Sequence, residues 1–252
     1  LGLVHAHSEL IREGLMTAFG AREVMLTDSG TSALVLALRV AVPRGGVVAF
    51  PGYACIDLIA AAVRAGVTGR FYDLDPATMS PDLDSVRRTL ARGVHAIVVA
   101  PLYGYPVDAR GVARIAGEHG IPVIEDAAQS AGSALHGKRV GSFGNLTILS
   151  FGRGKGTTGG SGGALLIHDT AFLAASGSAH TNPQSPSRGL RDVVALGAQW
   201  VLARPSLYAI PAAIPALKLG EMVYHPAHEP QAISAAAARM LEWALRADSA
   251  EV

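Results

Sequence analysis

The sequence predicts an α/β fold with a mainly parallel seven-stranded sheet and helices on both faces. Short runs rich in β-branched and aromatic residues recur along the first 170 residues, and most are separated by segments of helix length. In those segments, apolar residues recur near helical spacing. Alternating strands and helices are typical of a parallel sheet that is covered on both sides. The predicted strands are residues 24–26, 47–50, 70–73, 96–100, 122–125, 146–151 and 164–168.

Four helices are predicted between these strands, because each segment carries a start signal, a stop signal or both. The predicted helices cover residues 31–40, 57–65, 82–90 and 108–119. The start signals are polar side chains suited to capping a helix N-terminus, at Thr31, Asp82 and Asp108. The stop signals are glycines, at Gly66, Gly93 and Gly120.

The last strand and the C-terminal tail depart from this pattern. A Gly-rich loop separates the final two strands and is too short for a crossover helix, so we expect residues 164–168 to run antiparallel to a neighbour. We expect a large domain over residues 1–170 and a helical, Pro-rich tail over residues 171–252. Within the tail, the predicted features are a loop at 182–187, a helix at 188–203, a Pro-rich segment at 205–215 and an Ala-rich helix at 233–247.

Composition limits the classes of partner. The formal net charge is +1 over 252 residues, so no charge excess argues for nucleic acid or an anionic membrane. Half the residues are hydrophobic and none of the uncharged runs reaches the roughly 20 apolar residues of a membrane helix. The single cysteine, Cys55, excludes an intrachain disulfide framework. The first ten residues do not resemble a signal peptide. We therefore expect a soluble, cytoplasmic protein whose ligands bind at a site.

Ligands of an open parallel sheet lie beyond the carboxyl ends of its strands, so the residues that follow each strand are the candidates for a site. The first such segment is DSGTSAL, residues 28–34, which follows a strand and opens a helix. Free N–H groups at the helix start, the small Gly30 and the hydroxyl of Thr31 would together bind a phosphate. The alternative is that Ser29 or Thr31 only caps the helix.

The second segment places Asp126 at the end of an apolar strand, followed by Gln129. A carboxylate there can hold a heterocyclic nitrogen in its protonated, cationic form. The alternative is a structural or capping aspartate.

The third segment ends a strand with Ser150 and then presents Lys155 on a glycine-rich loop. A partly desolvated lysine can form a Schiff base. The alternatives are a solvated lysine or a lysine that only binds phosphate. A nucleoside triphosphate P-loop is disfavoured, because Gly156 rather than Ser or Thr follows the lysine.

The fourth segment, residues 50–55, carries Tyr53, whose ring could stack on a planar ligand or simply pack. Taken together, the four segments supply an anion site, a stacking ring, a partner for a pyridinium and a lysine. These are the requirements of pyridoxal phosphate.

Four stretches of the sequence carry a resemblance to a known family. They read SGTSAL, PLYGYPVDARGVARIAGEHGIPVIEDAAQSAGS, GKRVGSFGNLTILSFGRGK and GGSGGALLIHD. They resemble the DegT/StrS family of pyridoxal-phosphate-dependent sugar aminotransferases, of fold type I, over about residues 9–170. The resemblance implies a homodimer with active sites at the interface. It also implies that this chain lacks most of the family's small C-terminal domain.

The resemblance also implies roles for individual residues. Lys155 would bind the cofactor aldehyde and move a proton to and from the substrate carbon. Asp126 would keep the pyridine nitrogen protonated, and Gln129 would lie near the cofactor hydroxyl. The remaining implied contacts are the phosphate contacts of Gly30, Thr31, Ser32 and Ser150, and the ring contact of Tyr53.

The resemblance implies transfer of an amino group from glutamate or glutamine to a keto-sugar attached to a nucleotide, by a ping-pong reaction. Three positions depart from the family pattern: Cys55 replaces an aromatic residue, Pro101 a histidine and Ser161 an acidic residue. The Asn-bearing motif that reaches the partner subunit has only a loose counterpart near residues 231–241. The alternative is therefore a truncated relative that binds cofactor or a partner without turnover. The family's dehydratase branch lacks the lysine, so Lys155 argues against it.

Overall fold

The computed structural model of the protein describes residues 2–152, 155–177, 181, 193–194, 197–198 and 224–248. The strands are β1 (Glu23–Thr27), β2 (Val47–Pro51), β3 (Thr68–Tyr72), β4 (Ala96–Val99), β5 (Val123–Asp126), β6 (Ala134–Leu135), β7 (Lys138–Arg139), β8 (Leu146–Ser150) and β9 (Gly163–Ile167). The helices are α1 (Gly2–Phe19), α2 (Gly30–Ala41), α3 (Asp57–Ala65), α4 (Leu83–Leu90), α5 (Ala109–Glu118), α6 (Leu173–Ser176) and α7 (Ala235–Asp248).

Seven of these strands form one sheet in the order β1-β9-β8-β5-β4-β2-β3. The pairs from β8 to β3 are parallel, whereas β9 is antiparallel to both β8 and β1. This confirms the predicted mainly parallel sheet and the reversed direction of the last strand. The reversal follows from the short connection between β8 and β9, which leaves no room for a crossover.

Alternation along the strands separates the core into layers on the two faces of the sheet. In β4, Ala96 and Val98 pack with α2 and α3, whereas Ile97 and Val99 pack with α4 and α5 on the opposite face. In β8 and β9, the side chains that face away from α2 pack instead with α1 and α7. Because every central strand is covered on both faces, nearly all of its residues are apolar.

Local signals account for the helix ends. Asp82 and Asp108 cap α4 and α5 through their side chains, and Gly66 ends α3 in the left-handed conformation with φ of 74°. For α2, the N-cap is Ser29 rather than Thr31, because the Ser29 Oγ accepts the N–H of Ser32. The helix therefore begins one residue earlier than predicted.

Helix α1, the short helix α6 and the hairpin of β6 and β7 were absent from the sequence-based prediction. Helix α1 packs on α7 through the apolar cluster that includes Ile11, Leu15 and Leu241. The hairpin of β6 and β7 places Lys138 beside the Phe143 ring, with Nζ 4.6 Å from the ring centroid. The predicted helix near the C-terminus is confirmed as α7.

The predicted tail features at 182–187, 188–203 and 205–215 lie outside the described residues, apart from residues 193–194 and 197–198. The predicted division of the chain at residue 170 stays a prediction. None of the described helices combines the length and apolar character that a membrane-spanning segment requires.

A buried carboxylate organises the loop before β8. Glu125, in β5, accepts the N–H groups of Gly141, Phe143 and Gly144 at 2.7, 2.9 and 3.2 Å. Its burial raises the pKa of the Glu125 carboxyl, and the three N–H donors act in the opposite direction. The loop therefore holds β8 in place next to β5.

Candidate active site

A cleft lies beyond the carboxyl ends of β5 and β8, between the first turns of α2 and α3. Six of the eight predicted site residues line it: Gly30, Thr31, Asp126, Gln129, Ser150 and Lys155. The sheet thus brings together residues that lie up to 125 positions apart in sequence.

One end of the cleft is the N-terminus of α2. Gly30 and Thr31 open the helix, and the N–H groups of a first helical turn have no carbonyl of a preceding turn to bind, so this helix start suits an anion. A Cβ at Gly30 would lie only 2.8 Å from the Ser150 Cβ. Glycine therefore allows the start of α2 to lie close to the Ser150 hydroxyl. A phosphate that bound to both groups would require this short distance.

Asp126, the last residue of β5, also lines the cleft. Its side chain is buried, and its Oδ1 accepts the N–H of Ala128 at 3.0 Å. Burial raises the pKa of Asp126 to about 6, although the Ala128 N–H and the positive charge of Lys155 favour the carboxylate. The negative charge of Asp57 adds to the increase. A cationic ring N–H placed against this carboxylate would supply the charge that the site lacks.

Lys155 and Gln129 lie along the same cleft. Lys155 is partly buried, and its backbone N–H donates to Gly152 O at 3.3 Å, which holds the residue in the loop after β8. The Gln129 Oε1 accepts the N–H of Tyr103 at 3.1 Å. Tyr103 has φ of 58°, a left-handed conformation uncommon for a bulky residue. Gln129 thus anchors the strained loop that follows β4.

Two predicted site residues do not line the cleft. The Tyr53 side chain is 53% exposed, and its hydroxyl forms a hydrogen bond with the Tyr103 hydroxyl at 3.0 Å. It borders a separate surface depression with Asp73 and Met79. Ser32 is buried within α2, and its N–H already donates to the Ser29 Oγ. The ring contact of Tyr53 and the phosphate contact of Ser32 are therefore not supported by this arrangement.

Cys55 and Asp57 occupy the part of the cleft wall that Tyr53 was expected to form. The Cys55 Sγ lies 3.6 Å from Asp57 Oδ2, and burial raises the pKa of the Cys55 thiol. Sequence reasoning had treated Asp57 only as the start of a helix. Its position in the first turn after a strand end was the signal that could have identified it, because the other cleft residues occupy equivalent positions.

The sheet order, the helix N-terminus, the strand-end aspartate and the loop lysine are those of the fold type I aminotransferase fold. The family model described as the DegT/DnrJ/EryC1/StrS aminotransferase family matches residues 7–179, and the chain belongs to that family. The aminotransferases of this family depend on pyridoxal phosphate. The match confirms the resemblance seen in the sequence motifs.

Individual relatives agree with this assignment. The chain is 33% identical over 177 residues to L-glutamine:2-deoxy-scyllo-inosose aminotransferase of Streptomyces kanamyceticus, covering 68% of this chain and 41% of the relative. It is 35% identical over 146 residues to UDP-N-acetyl-3-dehydro-alpha-D-glucosamine 3-aminotransferase of Acidithiobacillus ferrooxidans, covering 58% of this chain and 40% of the relative. The chain therefore spans about two fifths of the length of these relatives.

A solved structure supports the fold. The aminotransferase from Psychrobacter cryohalolentis superposes with a TM-score of 0.71 at 23% identity, over 95% of this chain and 56% of that chain.

Proposed function

We propose that this chain is a pyridoxal-phosphate-dependent aminotransferase that transfers an amino group from glutamate or glutamine to a nucleotide-linked keto-sugar. The observation that carries the proposal is the convergence of the α2 N-terminus, buried Asp126 and Lys155 on one cleft. The names of the relatives support the substrate class, since one acts on a keto-inositol with glutamine and another on a UDP-linked keto-sugar.

The cleft residues fit the cofactor on structural grounds. A side chain at the Gly30 position would clash with Ser150, so glycine lets the start of α2 lie close to the Ser150 hydroxyl. The Asp126 carboxyl is buried, and its raised pKa indicates that the surrounding residues do not fully stabilise its negative charge. A ligand with a phosphate at one end and a cationic ring nitrogen at the other would satisfy both features.

The chain's own residues would perform separate tasks. Gly30, Thr31 and Ser150 would bind the phosphate, and Asp126 would accept the ring N–H and hold its proton. Lys155 would bond to the aldehyde and, once displaced by the amino donor, carry a proton to and from the reacting carbon at its Nζ. Bound pyridoxal phosphate would supply an aldehyde that condenses with amines and a pyridinium that withdraws electrons.

Covalent labelling tests the proposal. Borohydride treatment of the protein with bound pyridoxal phosphate, followed by peptide mapping, is expected to place the cofactor on Lys155. Lys138→Arg is the matched control and should keep the label, whereas Lys155→Arg should lose it. A label on Lys138 or Lys218 would overturn the assignment.

Absorbance separates the enzyme from the non-catalytic alternative. Addition of glutamate should bleach the yellow colour of the loaded protein, since transamination converts the bound aldehyde to an amine. A protein that keeps its colour binds the cofactor without turnover, and one that stays colourless after cofactor addition binds none.

A further inference from the structure

Two tyrosines lie side by side at the edge of the sheet that carries the cofactor cleft. Tyr53 follows β2 and Tyr103 follows β4, and their hydroxyl groups form a hydrogen bond of 3.0 Å. Tyr53 is 53% exposed and Tyr103 is 68% exposed, so this aromatic pair is held at the surface rather than in the core. Both line a surface depression, which we call the tyrosine depression. Its other lining residues are Gly52, Asp73, Leu74, Pro76 and Met79.

Tyr103 is held in an uncommon conformation from two sides. Its φ of 58° lies in the left-handed region, which bulky residues rarely adopt. Its backbone N–H donates to Gln129 Oε1 at 3.1 Å, and its hydroxyl meets that of Tyr53. Strained residues of this kind persist where their surroundings hold them, and they cluster at ligand sites. The Tyr103 ring is therefore fixed although it is exposed, which lowers the ordering cost for a ligand that stacks on it.

The tyrosine depression adjoins the cofactor cleft along the sheet. The strands run in the order β8-β5-β4-β2-β3, with the cleft beyond β8 and β5 and the depression beyond β4, β2 and β3. The two share their loops, since Leu102 lines the cleft and the next residue, Tyr103, lines the depression. With about 4.8 Å between neighbouring strands, the ends of β5 and β3 lie about 14 Å apart. An extended substrate can therefore place its reacting carbon in the cleft and its far end in the depression.

The residues of the tyrosine depression suit a flat, uncharged ring. The two tyrosine rings offer stacking surfaces, and Leu74, Pro76 and Met79 add apolar contact. Among the described lining residues, Asp73 alone carries a charge, and its negative sign disfavours a phosphate there. A nucleobase is a ring of the required kind, and every base can stack on an aromatic side chain. The phosphates of a nucleotide would lie outside the depression.

We propose that the tyrosine depression binds the nucleobase of the keto-sugar substrate, with Tyr53 and Tyr103 as specificity-determining residues that contact the base. This inference rests on the proposed function, because it takes the keto-sugar to be nucleotide-linked. It gives Tyr53 a ligand contact different from the cofactor contact that the sequence predicted.

Equilibrium binding of uridine, thymidine and guanosine diphosphates, measured with saturating pyridoxal phosphate, tests this inference. At least one of the three should bind. Tyr53→Ala and Tyr103→Ala should each raise its Kd by about fivefold to 100-fold, the range for loss of one base–aromatic stack. Ribose 5-phosphate, which lacks the base, should show the same affinity for wild type and both variants. The Tyr103→Ala variant keeps the backbone N–H that binds Gln129.

Two control variants separate stacking from other effects. Tyr105→Ala is the matched control, because Tyr105 is an exposed tyrosine of the same loop that does not line the depression. It should leave the nucleotide Kd unchanged. Tyr53→Phe removes the bond between the two hydroxyls but keeps the ring, so it should retain most of the affinity that Tyr53→Ala loses. The Kd for pyridoxal phosphate should be the same in all variants, since none of the three tyrosines lines the cleft.

Unchanged nucleotide binding in both alanine variants, an equal loss in Tyr105→Ala, or an equal loss in Tyr53→Phe and Tyr53→Ala would overturn the inference. Light scattering tests for the other occupant, a second copy of this chain. A change from dimer to monomer in Tyr53→Ala or Tyr103→Ala, but not in Tyr105→Ala, would make the depression an interface between copies and would also overturn the inference.

The outcomes distinguish this inference from the proposed function. If Lys155 takes the borohydride label but none of the three nucleoside diphosphates binds, the inference fails and the aminotransferase assignment stands. If Lys155 takes no label, while a nucleoside diphosphate binds and the alanine variants weaken it as expected, the aminotransferase assignment fails and base binding at the depression stands.

Discussion

Burial of Asp126 makes the stability of the cofactor-free protein depend on pH. Folding raises the pKa of this carboxyl from 3.8 to about 6, mainly through desolvation. Between these values the native state binds more protons than the unfolded state, so the free energy of unfolding falls as pH rises. The contribution of Asp126 is fully present below about pH 4 and is lost above about pH 6. Asp126→Asn is neutral at every pH and should abolish this loss.

The expected magnitude follows from the two pKa values. Each pKa unit corresponds to about 1.4 kcal/mol, so the ionised Asp126 carboxylate destabilises the native state by about 3 kcal/mol at pH 8. The amide oxygen of Asn can still accept the Ala128 N–H. We therefore expect cofactor-free Asp126→Asn to exceed wild type by up to about 3 kcal/mol at pH 8 and by little at pH 4.

Urea unfolding of the cofactor-free proteins at pH 4 and pH 8 measures this difference. Asp169→Asn is the control of opposite sign. The Asp169 carboxylate accepts the Ala171 N–H and the Asn145 amide N–H, and these bonds lower its pKa. Asp169→Asn should therefore be less stable than wild type above about pH 4, and this deficit should shrink as pH falls below about 4. If Asp126→Asn is no more stable than wild type at pH 8, Asp126 does not bear the desolvation cost that the cofactor is proposed to relieve.

Three further predictions concern the contact between Gly30 and Ser150, the hydrogen bonds of Glu125 and the oligomeric state. Gly30→Ala should weaken pyridoxal phosphate binding and cost about 1 to 3 kcal/mol in urea unfolding, because its Cβ would meet Ser150 at 2.8 Å. Ser150→Gly should relieve the stability loss, and Gly117→Ala, with open space around its Cβ, should cause none. Glu125→Leu should destabilise by about 3 kcal/mol, since three N–H groups lose their acceptor; a loss under about 1 kcal/mol would contradict this. Light scattering at micromolar concentration should show a dimer, and a monomer that transaminates would refute it.

The elements that sequence reasoning predicted well are those whose signals are local. The central strand runs are short and apolar because they are buried between two helical layers, and the caps at Asp82 and Asp108 lie directly beside the helices they begin. The small displacement at α2 arose because Ser29 and Thr31 are both good caps, and only the bond from Ser32 N–H to Ser29 Oγ distinguishes them.

Helix α1 was missed because its partner is remote in sequence. Its apolar side packs on α7, more than 200 positions away, so the first residues alone do not reveal that they form part of the core. The hairpin of β6 and β7 was missed because each strand has only two residues, too few to show alternation.

The sequence by itself determined which residues follow the strand ends, and hence that Gly30, Asp126, Ser150 and Lys155 share one edge of the sheet. This is possible because parallel strands carry their carboxyl ends to the same side, whatever their order. Only the tertiary structure decided what stands beside them. In the folded chain the Tyr53 hydroxyl bonds to the Tyr103 hydroxyl, and Cys55 and Asp57 line the cleft instead of Tyr53. The fold also brought His228 to Asp28, since contacts between distant segments depend on strand order and packing, which no local pattern encodes.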